Sequence, residues 1–167
     1  MIDKEILTQK VSILVGEELK WFGRAGNMLT TGFGDEITYV DIRGRSIAKS
    51  KFYIHIQCPW RLLHQYKILV GSDDFYIPAT GMDQLEDFIG ATRFDEKRNE
   101  FFSVIESTAL VVLKVVVDRL GGLTLKFGND YILEAFPCDS NSEEAWRLGN
   151  LSVGEDDKDR SIVVTSP

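Results

Sequence analysis

ALVVLKVVVDRLGGLTLKFGNDYILEAF, from Ala109 to Phe136, is the stretch that decides the fold class. Leu123, Leu125 and Phe127 alternate with Thr124 and Lys126, the period-two pattern of a strand with one face buried. Tyr131 to Phe136 is a second such run, closed by Pro137. Gly121-Gly122 and Gly128-Asn129-Asp130 are turn sequences too short for anything but an antiparallel return. The segment therefore reads as an antiparallel three-strand meander. Its first strand, Ala109–Asp118, is long enough to be expected centrally in a sheet.

Working outward, Met28–Phe33 and Ile37–Ile42 read as a hairpin joined through Gly34-Asp35-Glu36. Phe52, Ile54, Ile56 and Cys58 form one face of a further strand, with Tyr53, His55 and Gln57 on the other and Pro59 at its end. Ile68–Val70 is a short apolar run before the turn Gly71–Asp74. Ile2, Ile6, Leu7, Val11, Leu14 and Val15 recur at helical spacing behind Asp3, a possible cap, and a strand over 7–15 is the alternative. Asp95–Ile105 reads as a helix with Asp95 and Glu96 at its favourable end. Asp139–Ser142 has capping chemistry, so Glu144–Leu148 is expected as a short helix or turn, with Asn141 and Glu144 at capping-box spacing. Ile162–Val164 is a candidate edge strand. The expected class is α+β: mainly antiparallel sheet in two strand-rich halves, with an N-terminal helix and a short central helix. The expected organisation is a single domain over 1–167. Halves at about 1–78 and 106–150 are joined by a partly helical connection holding Phe88 and Ile89, and 150–167 is an acidic tail.

Composition narrows the function. The 167 residues are 44% hydrophobic and 27% charged, as in an ordinary globular domain. The net charge of −7 disfavours nucleic acid and anionic membrane and suits a basic protein partner. The two cysteines, Cys58 and Cys138, make no disulfide scaffold. The start Met1-Ile2-Asp3-Lys4-Glu5 lacks a signal-peptide pattern, and Lys114 interrupts the longest apolar run. The expected location is the cytoplasm, with no membrane and no nucleic-acid partner.

Trp-Arg-Leu occurs twice, at Trp60–Leu62 and Trp146–Leu148, each time after a run opening Tyr-Ile, at Tyr53 and at Tyr131. MLTTGFG at Met28–Gly34 and LTLKFG at Leu123–Gly128 extend the echo. Two features count against duplication. The spacings differ, and aligning Tyr53 with Tyr131 sets His55 against Leu133 and Ile56 against Glu134, which spoils a shared buried face. The alternative is that the pairs Trp60-Arg61 and Trp146-Arg147 anchor loops after strands.

No constellation specifies a reaction. His55, Cys58, His64 and Cys138 include suitable metal ligands, but no Cys-x-x-Cys pair anchors a site, and His55 and Cys58 face opposite ways on a straight strand. A Cys–His nucleophile has the inventory and no defined geometry. Glu134, between Ile132 and Phe136 on its face, is the carboxylate best placed to line a pocket. There is no nucleotide-binding glycine motif, and no cofactor is expected. The residues singled out for an interaction surface or cleft are His55, Trp60, Arg61, Asp73, Asp74, Glu134, Trp146 and Arg147.

HIQCPWR at His55–Arg61, GSDDFYIP at Gly71–Pro78, FDEK at Phe94–Lys97 and GGLTLKFGNDYILEAFPCDSNSEEAWRL at Gly121–Leu148 resemble an uncharacterised family of small bacterial cytosolic proteins. Some members resemble immunity-type proteins of polymorphic toxin systems. The resemblance implies a stand-alone single-domain protein and carries no catalytic residue onto this chain. The leading expectation is a noncatalytic interaction role, such as inhibition of a basic toxin. The alternatives are an enzyme or small-ligand protein with a cleft near His55, Arg61 and Glu134, and a structural or regulatory homodimer.

Overall fold

Inward-facing side chains of two antiparallel sheets share one hydrophobic core in the computed structural model, which describes residues 4–40, 43–82, 92–140, 143–154 and 160–166. The expected roles of Asp3, Asp41, Ile42, Phe88, Ile89, Asn141 and the acidic run Glu155–Asp159 lie outside the described residues. The helices are α1 (Lys4–Val11, continued by a 3-10 turn to Leu14) and α2 (Arg93–Ser107). The strands are β1 (Leu19–Ala25), β2 (Met28–Val40), β3 (Ser46–Ile56), β4 (Trp60–His64), β5 (Lys67–Gly71), β6 (Val112–Val117), β7 (Leu123–Phe127), β8 (Tyr131–Ala135), β9 (Glu144–Asn150) and β10 (Ser161–Thr165). The fold is α+β, as its alternating patterns and helical periodicities indicate.

The strand orders reveal the construction. One sheet runs β1-β2-β3-β9-β10 and the other β6-β7-β8-β4-β5. Each is a three-strand meander extended by a hairpin taken from the other half of the chain. The helices are exchanged too: α1 precedes β1 but packs on β6, and α2 precedes β6 but packs on β1. Both close an open sheet edge. Thr8 Oγ1 of α1 accepts from the Val117 N–H at 3.3 Å, and Arg98 Nε of α2 donates to the Phe22 carbonyl at 3.1 Å.

The same unit thus occurs twice, and the echo falls on equivalent elements. Leu19 N–H donates to the Leu110 carbonyl at 2.9 Å and Val112 N–H to the Glu17 carbonyl at 2.9 Å, a reciprocal pair. Both edge meanders carry a bulge at the same place, after Leu19 and after Val112. Phe33 stacks on its equivalent Phe127, ring centroids 6.5 Å apart and planes within 4°. The register also removes the earlier objection. Trp146, Arg147 and Leu148 lie opposite Ile56, His55 and Ile54, while Trp60, Arg61 and Leu62 lie opposite Ala135, Glu134 and Leu133. Phe52 therefore matches Tyr131, one residue away from the Tyr-to-Tyr alignment, and the buried faces then agree.

Several expectations change. Trp60–Leu62 and Trp146–Leu148 are interior strands, not loop anchors or a helix; alternation puts Trp and Leu inside and Arg outside. Met28–Val40 is one strand. Gly34, at φ 77°, makes a bulge in it and donates to the Glu18 carbonyl, so the chain continues where a turn was expected. Leu19–Ala25, where no strand was expected, is β1. β6 lies at a sheet edge, where Leu113 and Lys114 are exposed and α1 supplies the cover. Each sheet takes strands from both sequence halves, and the candidate edge strand at Ile162–Val164 forms β10.

Candidate functional site

Outward positions on β1, β2, β3 and β9 form a cross-strand row: Trp21, Gly32, Tyr53 and Gly149. The neighbouring row is Gly23, Thr30, His55 and Arg147. Tyr53 lies across Gly149, where a Cβ would come within 2.0 Å of its ring. The Trp21 indole lies over Gly23, whose Cβ would come within 2.7 Å of it, and its Nε1 donates to Thr30 Oγ1 at 3.1 Å. The glycines allow the aromatic rings to lie down on the sheet. Between them is an open groove of about 520 Å3, also bordered by Lys20, Glu36, Lys49, Ser50 and Arg160. That volume is within the range of ligand pockets.

The second sheet is an internal control. Its equivalent rows are Lys114, Lys126, Ile132 and Leu63, then Val116, Thr124, Glu134 and Arg61. Gly23, Gly32 and Gly149 thus correspond to Val116, Lys126 and Leu63. The glycine floor belongs to the first sheet only, although both sheets have the same backbone plan.

The predicted residues separate accordingly. His55 lines the groove and packs on Tyr53, ring centroids 4.6 Å apart. Arg147 borders the same face and is held by Glu144, with Nε to Oε1 at 2.6 Å; Gln57 donates to the same oxygen at 3.0 Å. Arg61 and Glu134 form their own ion pair at 2.7 Å on the outer face of the other sheet, with Arg61 over Phe136. His55, Arg61 and Glu134 therefore do not line one cleft. Trp60 and Trp146 are in the core: Trp60 packs against Phe22, Phe75 and Phe94, and Trp146 Nε1 donates to the Gly121 carbonyl at 2.7 Å. Asp74 accepts from the Gly71 N–H at 2.9 Å, a local structural role, and Asp73 is exposed. Trp21 was not singled out by sequence reading, because β1 itself was missed. The available signal was a bulky aromatic beside Gly23.

Compared with family models, curated proteins and solved structures, the chain matches none.

The electrostatics of the groove centre on His55. Burial and the positive charges of Arg147 and Lys49 hold its imidazole below the usual histidine value, and the Glu144 carboxylate only partly offsets them. The Arg147 guanidinium bound to Glu144 holds that carboxyl below the usual range, against the cost of burial. By linkage, the unfolded chain binds the His55 proton more readily than the folded protein does. This histidine therefore costs no stability above the unfolded value of about 6.5, and its contribution turns unfavourable as pH falls from there toward its folded value. An NMR titration is expected to show His55 with a midpoint below 6.5, and His55→Gln is expected to flatten the stability loss in that window. A midpoint at or above 6.5 contradicts this account of its surroundings.

Cys58 is buried and lies away from the groove, and desolvation pushes its thiol up to about 12. Cys138 is exposed. Alkylation of the folded protein at neutral pH is expected to modify Cys138 and spare Cys58 until denaturant is added. Equal labelling rates would show that Cys58 is accessible. Among the described residues no group of three or more His, Cys, Asp or Glu side chains could hold a metal ion. No helix among them is long and apolar enough to cross a membrane.

Proposed function

We propose that this chain is a noncatalytic binding protein whose recognition surface is the aromatic groove on the outer face of the β1-β2-β3-β9-β10 sheet. One observation carries the reading: Trp21 lies over the outward Gly23 and Tyr53 over the outward Gly149, with Gly32 between the two aromatic residues, whereas the matching positions of the other sheet hold Val116, Leu63 and Lys126. A glycine inside a strand weakens the sheet by about 0.5–1 kcal/mol relative to alanine, so three on one face favour a role beyond stability. Trp21 is 43% exposed even with Phe102 and Arg98 packed against its ring, which suits a contact residue. The placement of Cys58 in the core and His55 on the surface favours binding over nucleophilic chemistry. Masking a partner's surface, as immunity-type proteins do, is the use that fits such a module.

The test compares faces. Gly149→Ala forces the Tyr53 ring off the floor, and Trp21→Ala removes the groove's most exposed aromatic. Arg61→Ala with Glu134→Ala alters the opposite face. Partners enriched by the unaltered protein should be lost about tenfold or more with the first two variants and retained with the double variant, all checked for native circular dichroism. Loss through the opposite face alone would place recognition elsewhere.

A further inference from the structure

We propose that the edge strand β10 pairs with β10 of a second copy of this chain, antiparallel and centred on Val163, so that two β1-β2-β3-β9-β10 sheets join into one. This contact is separate from the groove and holds whatever the groove binds.

The backbone of β10 is the first support. Asn150 N–H donates to the Arg160 carbonyl at 2.7 Å and Ser166 N–H to the Glu143 carbonyl at 2.9 Å, one at each end of the strand. Between them Ile162 stands opposite Leu148 and Val164 opposite Trp146. Backbone groups alternate along an antiparallel strand, so those of 160, 162, 164 and 166 aim at β9 and those of Ser161, Val163 and Thr165 aim away from it. Ser161, Val163 and Thr165 have no hydrogen-bond partner among the described residues. β5 holds the matching place in the other sheet, but α2 and the 3-10 turn Ser72–Phe75 pack on it.

The second support is that the strand fits a two-fold axis. In Ser-Ile-Val-Val-Thr, centring on Val163 sets Ile162 against Val164 and Ser161 against Thr165 of the other copy. Pairs of β-branched residues and pairs of hydroxyl residues are favourable across strands. Every outward backbone group is then matched, since 163 with 163 and 161 with 165 are the hydrogen-bonded pairs. The faces agree as well: Ile162 and Val164 stay on the core side in both copies, and Val163, 49% exposed, is covered by its own equivalent. Charge permits the pairing. A two-fold sets a strand against itself, so a charged strand would meet like charge, and β10 has no charged side chain in a chain that is 27% charged. Arg160, just outside the strand, falls opposite Ser166.

An uncharged, β-branched edge without proline or lysine is open to any extended segment, and self-pairing closes it. β1, at the far end of the sheet, is covered by α2, so growth stops at two copies. The axis stands normal to the sheet and leaves both grooves on one face. The path from Tyr53 to its equivalent crosses β9 and β10 of each copy, a separation of about 24 Å at about 4.8 Å per strand, which lets one partner be held at two points.

The experiment is sedimentation equilibrium of the full chain over about 1–200 μM, where a small interface exchanges between monomer and dimer. A reversible dimer is expected. Val163→Lys sets like charges opposite each other and should raise the dissociation constant about tenfold or more, with native circular dichroism retained. Cross-linking in a Cys138→Ser background reads the register. Val163→Cys is expected to give a disulfide-linked dimer on mild oxidation, because the paired Cα atoms lie about 5.5 Å apart. Thr165→Cys is displaced from its own equivalent by roughly 13 Å along the strand and is expected to give none. A chain that stays monomeric at the highest concentration overturns the pairing. So does a dimer indifferent to Val163→Lys, or equal cross-linking at 163 and 165. If the monomer instead binds a labelled peptide of alternating Val and Thr, and Val163→Lys abolishes that binding, the edge belongs to a foreign strand and self-pairing is overturned.

Discussion

Trp146→Ala is expected to lose about 3–5 kcal/mol of stability, a large part of what a domain of this size has. The side chain is fully buried in β9, an interior strand between β3 and β10, so the truncation opens a cavity where both sheets meet the core. It also removes the donor to the Gly121 carbonyl, in the turn before β7. The equivalent Trp60 offers a sharper comparison. Its Nε1 is buried and has no hydrogen-bond partner among the described residues, so Trp60→Phe removes a desolvated donor along with ring volume. Trp146→Phe removes a satisfied one and leaves its acceptor short. Equilibrium denaturation should therefore show Trp146→Phe about 1–3 kcal/mol costlier than Trp60→Phe. Equal losses would mean that the Gly121 bond contributes nothing.

The second large effect concerns assembly. Cutting the chain between Met82 and Thr92 separates α1 and β1–β5 from α2 and β6–β10. Each piece keeps a meander but holds a hairpin that belongs in the other's sheet. Each also keeps a helix that covers the other's edge strand. Alone, a fragment would leave Trp60 and Leu62, or Trp146 and Leu148, without the strand they pack beside. Neither fragment is expected to show cooperative unfolding as a monomer, and an equimolar mixture should recover native circular dichroism and a single thermal transition. A cooperatively folded monomeric fragment would refute the mutual dependence of the halves.

The candidate site was half legible in the sequence. Alternation put Tyr53 and His55 on the outward face of their strand, and they are there. Arg147 was singled out, but a capping pattern ahead of Glu144 drew that segment toward a helix, and β-pairing on both sides overrode it. Trp21 was missed with its strand. Glycines 32 and 149 gave no signal at all, because a glycine's value lies in what a neighbouring strand places above it.

By itself the sequence determined the period of each element: the meander β6–β8, the two helices, the faces of β3 and the turns at glycines 44, 121 and 128. These follow from local sterics and from which side chains alternate. It also held the internal echo, but in a register one residue out. The tertiary structure alone decided the exchange of hairpins and helices, the edge position of β6 and the separation of His55 from Arg61 and Glu134. Those depend on which strand edges meet after long stretches of intervening chain, and backbone pairing is indifferent to the distance in sequence between the strands it joins.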